Sequence, residues 1–245
     1  MIETEYGSHR FCYRPALTPV DLHRIYELRY QVYVNEWHYE RSADHPGGIE
    51  KDVYDQHSLH FMAFSDNVLI GTVRIIKNSQ IGFPHERHCV ITSDLSGVDR
   101  DKMGEISRLA VSKDFRRRSY DKDLFEGGNP PEDMFLSDND VRRKRHEIII
   151  GLFKAMYRES KAIGLTHWIV VTARALQILL RRLGIHFEQI GPDVDYHGTR
   201  TPYLICIANV ERHLAETNCE LLQEFIEGLP DSLKPHCLPS SKKIL

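Results

Sequence analysis

Glu105-Ile106-Ser107-Arg108-Leu109-Ala110-Val111 reads as an apolar strand with two opposite charges set into it. Side chains alternate along an extended chain, so Glu105, Ser107 and Leu109 should share one face and Ile106, Arg108 and Ala110 the other. Charges in a strand are costly to bury unless they are exposed, paired or functional. Pattern alone leaves two readings open, a solvent face on a half-covered sheet or a working site. Upstream, residues 58–64 and 68–77 are extended runs either side of Ser65-Asp66-Asn67 and predict a β-hairpin, with Arg74 in its second arm. Residues 11–17 predict a short strand. A helix follows from Thr18-Pro19 to about Val34, with Thr18 as N-cap and proline in the first turn. Downstream come a helix over 141–163 closed by Gly164, a strand over 167–172 and a helix over 173–183 closed by Gly184. A final antiparallel pair is expected at 187–190 and 202–210, then a helix over 211–228. The order β-α-β-β-β-α-β-α-β-β-α predicts an α/β or α+β sheet enzyme, not a bundle or a sandwich.

The rest of the chain narrows the class. Its 245 residues, 27% of them charged, suit one domain with a sizeable core. No apolar run approaches the roughly 18–20 residues of a membrane span, and Met1-Ile2-Glu3-Thr4-Glu5 lacks the apolar core of a secretory signal. Five scattered cysteines form no CxxC pair, which argues against a disulfide framework or zinc ribbon and predicts a reducing, cytoplasmic location. The fourteen histidines include no HxxxH or HExxH; His85-Glu86-Arg87-His88 is a weak HxxH, and no metal is expected. GxSxG, GxxxxGK and GxGxxG are all absent. A net charge of −3 speaks against a nucleic-acid partner, although two local basic clusters stand out: Arg116, Arg117 and Arg118, then Arg142, Arg143, Lys144 and Arg145. Four cations in a first helical turn oppose the helix dipole, which favours an anionic partner over a plain solvated face. Residues 35–56 are polar around Pro46-Gly47-Gly48, and 119–139 hold Gly127-Gly128-Asn129-Pro130-Pro131; a flap and a long loop are expected there. On pattern alone Asp52 and Asp55 read as ordinary loop acids, and Trp37 as core filler.

Taken together, Arg29-x-x-x-Tyr33, Trp37, Glu50-x-Asp52-x-Tyr54-Asp55, Gly71-x-x-Arg74 and Glu105-x-x-Arg108 resemble the signature of the acyl-homoserine-lactone synthases. Residues 107–118, and 184–187 through 195–198, are similar to the acyltransferases associated with PEP-CTERM/exosortase systems; N-acyl amino acid synthases are a third relative. The resemblance implies a fold like that of the GCN5-related N-acetyltransferases, a mixed and mostly antiparallel sheet flanked by helices in one domain over 1–245, with a C-terminal helix and tail over 211–245. It implies an N-acyltransferase taking a fatty acyl group from the phosphopantetheine thioester of acyl carrier protein, or from acyl-CoA, to a small amine or amino acid. No permanently bound cofactor is implied. Glu105 becomes the candidate base, with Arg108 beside it and His197 as a second acid or base. Backbone N–H groups at Leu109, Ala110 and Val111 would hold the acyl donor, and Arg29, Tyr33, Trp37, Asp52, Asp55 and Arg74 would form the acceptor side. The acids should pair with the arginines, and both basic clusters would dock the carrier protein. Two departures bear on substrate: Tyr33 stands where the lactone synthases have phenylalanine, and Phe115-Arg116-Arg117-Arg118-Ser119 replaces the glycine loop that holds a coenzyme pyrophosphate. The alternatives are a lactone synthase proper, an acetyl-CoA-dependent acetyltransferase and a non-enzymatic module binding an anionic partner.

Overall fold

The computed structural model describes residues 1–6, 9–115 and 140–237, with 5, 6, 9 and 140–146 in backbone only. The N-terminal strand pair is β1, Ile2–Tyr6, and β2, His9–Pro15. Thr18 then caps α1, Pro19–Arg29, in a reciprocal capping box with Asp21. The same Asp21 carboxylate accepts two hydrogen bonds from Arg14, at 2.9 and 2.6 Å, so the helix start is tied to β2. The helix passes into a seven-residue π-helical turn, Tyr30–Glu36. Such turns mark functional sites more often than chance, and this one carries Tyr33.

The predicted hairpin is present as β3, Ser58–Ser65, and β4, Val68–Lys77. Its two-residue loop, Asp66-Asn67, has φ of 49° and 69°, the left-handed pair whose twist suits a tight hairpin. A one-turn helix α2, His85–His88, precedes β5, Met103–Val111. Next come α3, Asp140–Ala162, β6, His167–Thr172, and α4, Arg174–Arg182. The short β7, Glu188–Gln189, and β8, Val194–Asp195, both pair with β9, Thr199–Cys206. Two helices end the fold, α5, Ile207–Thr217, and α6, Cys219–Ile226.

These strands form one sheet in the order β1-β2-β3-β4-β5-β6-β9-β7. Among the described strands only β5 and β6 pair in parallel; the other pairs are antiparallel. On one face Val73, Ile75, Ile106, Trp168 and Ile205 pack against α3, α4, α5 and α6. On the other, Ile25 of α1 covers Met62 and Phe64, and Tyr54, Phe83 and Ile190 cover Ile76, Met103 and Ile169. The α/β sheet flanked by helices is as expected. Among the described residues no helix is long and apolar enough to cross a membrane.

Three differences from the sequence reading have local causes. Strand β1 was not anticipated; the five residues Ile2-Glu3-Thr4-Glu5-Tyr6 give little hydrophobic alternation to read. The last strand stops at Cys206, because Ile207, Val210 and Leu214 are spaced to bury one helical face. The single helix expected over 211–228 is broken at Asn218, whose side chain accepts from the Leu221 N–H and caps α6. The loop at 119–139, Arg116, Arg117 and Arg118, and the tail from 238 lie outside the described residues. So do the side chains of Arg142, Arg143 and Arg145 in the first turns of α3.

Helix α3 sits close on the sheet because Gly151 faces the Tyr13 ring, whose hydroxyl donates to the Glu147 carbonyl at 3.0 Å. A Cβ at Gly151 would come within 2.1 Å of that ring. Gly151→Ala is therefore expected to destabilise the protein by about 1–3 kcal/mol despite its better helix propensity. A urea titration checks this, and Tyr13→Leu in the same chain should relieve part of the loss.

Candidate active site

Arg29 ends α1, Arg74 lies on β4 and Arg108 on β5, and the three guanidiniums converge on acids from the segment before β3. Arg29 donates to Glu50 through Nε and to Asp55 through Nη1 at 2.7 Å and Nη2 at 3.3 Å. Arg74 reaches both Asp52 oxygens, at 2.7 and 2.9 Å, and Asp55 at 2.6 Å, while its Nε donates to the Ser107 hydroxyl at 3.0 Å. Arg108 donates to Glu50 and to Glu40, each at 3.2 Å, and lies 3.4 Å from Asp52. The pairing expected of Asp52 and Asp55 with the arginines is present, and the ordinary-loop reading of these acids is overturned. Arg29 and Glu50 are fully buried.

The face expected for Arg108 is corrected. Arg74 pairs with Ser107 and Thr72 with Ala110, so Arg108 and Leu109 together oppose Val73. This is a β-bulge, with Arg108 in the left-handed region at φ 53°. The extra residue breaks the alternation and brings Arg108 to the face of Glu105, Ser107 and Arg74. Strict period-two reading cannot anticipate it. The Tyr33 hydroxyl donates to the Leu109 carbonyl at 2.8 Å and ties the π-helical turn to the bulge.

Pairing of β5 with β6 ends at Ile106 and Val170, although both strands continue. A cavity of about 150 Å³ opens where they part. One end is apolar, with Ile106, Phe153, Val170, Leu176, Leu180 and Phe187; the other is lined by Tyr33, Trp37, Tyr39, Asp52, Arg74, Glu105, Arg108, Tyr196, His197 and Arg200. Trp37 is thus wall, not core filler. Of the three residues assigned to backbone contacts with the donor, Leu109 lines the cavity, whereas Ala110 and Val111 pair with Thr72 and Gly71 of β4. Rings form a belt around the polar end, Tyr33 to Trp37 at 5.5 Å, Tyr39 to His197 at 5.0 Å and Tyr196 to His88 at 4.3 Å. Tyr54 lines the same cavity, and its buried hydroxyl has no hydrogen-bond partner among the described residues.

Glu105 is buried, and its Oε2 accepts from the His85 backbone N–H at 3.1 Å and lies 2.7 Å from His85 Nδ1. His197 sits in the turn between β8 and β9 at φ 55°, with Nε2 3.7 Å from Glu40. Its side chain lines the cavity. Burial, then Arg108 and Arg200, push its pKa down to about 4, so it is neutral at pH 7. Sequence reasoning missed Glu40, Tyr39, His85 and Arg200, and left Glu50 out of the acceptor side although it stood in the quoted motif. Within residues 35–56, where a flap was expected, Glu50, Tyr54 and Asp55 are buried and 38–49 is the more exposed part.

Burial opposes the charges of Arg29, Glu50, Asp52, Asp55 and Arg108, and their partners overcome it. Arg108 and then Arg29 hold Glu50 at about 2, and Arg29 and Arg74 hold Asp55 well below the usual carboxylate range. His60, beside Asp55, is pushed down to about 4, first by burial and with help from Arg29 and Arg74.

The description "Acetyltransferase (GNAT) domain" matches residues 28–125, the segment that carries all three arginines and Glu105. The acyl-homoserine-lactone synthase of Vibrio anguillarum is 23% identical over 190 residues, spanning 75% of this chain and 82% of that protein. The crystal structure of TofI in a ternary complex with an inhibitor and MTA aligns with a TM-score of 0.58 at 16% identity, over 91% of this chain and 98% of that one. FeeM, an N-acyl amino acid synthase from uncultured soil microbes, aligns at 0.54 and 14% identity, over 85% and 97%. The fold is that of the GCN5-related N-acetyltransferases, and the chain is an acyltransferase built on it. Within that class it is similar to the acyl-homoserine-lactone synthases, as its residues implied.

Two outcomes follow from the buried charges. Asp55→Asn keeps the shape but leaves two guanidiniums short of a charge, and is expected to cost about 3–5 kcal/mol. Asp52→Asn should cost less, since its side chain is 23% exposed; urea titrations of the two variants check the order. Depressed folded pKa values mean the unfolded chain binds more protons, so stability falls as pH falls. His60 contributes between pH 6.5 and about 4, and Glu50 between 4.5 and about 2. His60→Gln should flatten the dependence of melting temperature on pH in the upper window and leave the lower one in place.

Proposed function

We propose that the protein is an N-acyltransferase that moves a fatty acyl group from the thioester of acyl carrier protein to the amine of a small molecule or amino acid. The observation that carries this reading is the two-ended cavity: an apolar end suited to an alkyl chain meets a charged, aromatic end suited to an amine, at the open edge of β5. An incoming ammonium must lose a proton before it can attack. Glu105 takes it, directly or through one water. The amine adds to the thioester carbon, and of the backbone N–H groups expected at Leu109, Ala110 and Val111, that of Leu109, which lines the cavity, stabilises the oxyanion. Collapse breaks the C–S bond and releases the pantetheine thiol, which recovers a proton, leaving an amide. Arg74 and Arg108 keep Asp52 and Glu40 in place beside the amine. Residues 38–49 close over it, with Glu40 reaching Arg108 and the Tyr39 ring packed at a tilt against His197. The carrier protein is favoured as donor because no glycine loop is available for a coenzyme pyrophosphate. The arginines at 116–118, 142, 143 and 145 would then meet its acidic surface.

A second reading makes the product an acyl-homoserine lactone. It is favoured by the similarity to those synthases and by the aromatic belt beside Asp52 and Glu40, which suits an organic cation. Mass spectrometry of extracts from cells expressing the protein separates a lactone from an open-chain N-acyl product. In purified form, acyl carrier protein should support turnover far better than the matching acyl-CoA, and equal efficiency would overturn that choice. Glu105→Gln should lower turnover by roughly 10²–10⁴-fold with folding intact; a change of only a few-fold would remove Glu105 as the base.

A further inference from the structure

We infer that His85 is a positioning residue for Glu105: it pins one carboxylate oxygen and leaves the other as the single proton acceptor facing the cavity. The inference rests on the acyl-transfer reading for its catalytic meaning, but its geometry stands independently. Oε2 of Glu105 is engaged twice by one residue, by the backbone N–H of His85 at 3.1 Å and by Nδ1 at 2.7 Å. A backbone N–H can only donate. With Glu105 ionised, Nδ1 also carries its hydrogen toward Oε2. Both groups are buried, His85 at 5% exposure and Glu105 at 3%. Glu105 lines the cavity and His85 does not, so the histidine stands behind the carboxylate, away from the space a substrate would fill. The ring is held in turn by Phe83, stacked at 5.7 Å, which lies under the Arg100 guanidinium at 5.1 Å. Two hydrogen bonds at one oxygen and a clamped ring fix the carboxylate plane, and with it the direction of Oε1.

The arrangement also gives the loop before β5 a purpose. His85 was visible in the sequence only as half of a weak HxxH, and among the described residues no group of three or more His, Cys, Asp or Glu side chains is placed to hold a metal. Its partner is a carboxylate twenty residues on, at the heart of the cavity. The titratable and charged groups around Glu105 include His85 and Cys89 from that loop, Tyr54 from the segment before β3, Arg108 from β5 itself, and, around the cavity, Asp52, Arg74, His88, Tyr196 and His197. Of these, the hydrogen bonds reach Glu105 from His85 alone.

Two substitutions separate positioning from packing. His85→Phe keeps a ring against Phe83 and removes the side-chain donor; His85→Asn loses the ring and restores a donor close to the Nδ1 position. Positioning predicts that His85→Phe lowers kcat by roughly 10–100-fold, less than loss of the base itself, with little change in KM for the acyl donor. A hydrogen bond to the ionised form is lost, so the acid limb of the pH–rate profile should move to higher pH. His85→Asn should return both toward the wild-type values. A packing role predicts the reverse order, with Phe tolerated and Asn impaired, and that result overturns the inference. The second readout needs no turnover: ¹³C NMR titration of the intact protein labelled at glutamate carboxyls, with Glu105→Gln to assign the signal. The Glu105 midpoint should rise in His85→Phe and not in His85→Asn. An unmoved midpoint overturns the inference even if acyl transfer is confirmed. A midpoint that moves in a protein with no acyl transfer to any amine supports the dyad and removes the function proposed for it.

Discussion

Three arginines and three acids, interlaced and largely buried, set the geometry on which the rest of this molecule depends. Arg29, Arg74 and Arg108 come from a helix end and two strands, and Glu50, Asp52 and Asp55 from the chain between them. A buried ion pair seldom adds much net stability, because desolvation consumes most of the Coulombic gain. Its effect here is to fix position. Asp55 joins α1 to β4, Asp52 joins β4 to β5, and Glu50 joins α1 to β5, so no element of the polar wall can shift without breaking a charged contact.

The bulge at Arg108 belongs to the same constraint. A left-handed arginine in a strand is strained, and the strain persists because its guanidinium has Glu50 and Glu40 on the far side and Tyr33 holds the neighbouring carbonyl. The bulge turns Arg108 to the face of the sheet where Glu50 and Glu40 meet it. Past it, β5 leaves β6, and the sheet that serves as the hydrophobic core's floor becomes the frame of a cavity with chemically unlike ends.

Much of this was legible in the chain. The hairpin, α1 with its Thr18 cap, β6 and the glycine stops after α3 and α4 follow from period and capping, because local chemistry alone decides them. The charged set was legible only jointly: each of Arg29, Asp52, Asp55, Arg74 and Arg108 has a bland reading, and their order along the chain carried the information. What escaped depends on tertiary contact. The face of Arg108 follows from an inserted residue that no periodicity announces, and Glu40 acquires meaning only when 38–49 reaches Arg108 and His197. His85 looked like half of a metal motif because its carboxylate partner is brought to it by the fold, not by spacing.

The parallel pairing of β5 with β6 has a consequence for how the chain reaches its fold. Every other neighbour of β5 in the charged network lies earlier in the sequence, so the first half of the chain can assemble Arg29, Glu50, Asp55, Arg74 and Arg108 as it leaves the ribosome. Met103, by contrast, pairs with His167, and β6 in turn with β9. Until those later strands are made, β5 presents an unsatisfied edge and the inner side of Ile106 to solvent. Closing the long intervening segment carries a loop-closure cost that the local hairpin contacts of β3 and β4 do not. The early half holds the chemistry, and the late half seals the sheet beside it.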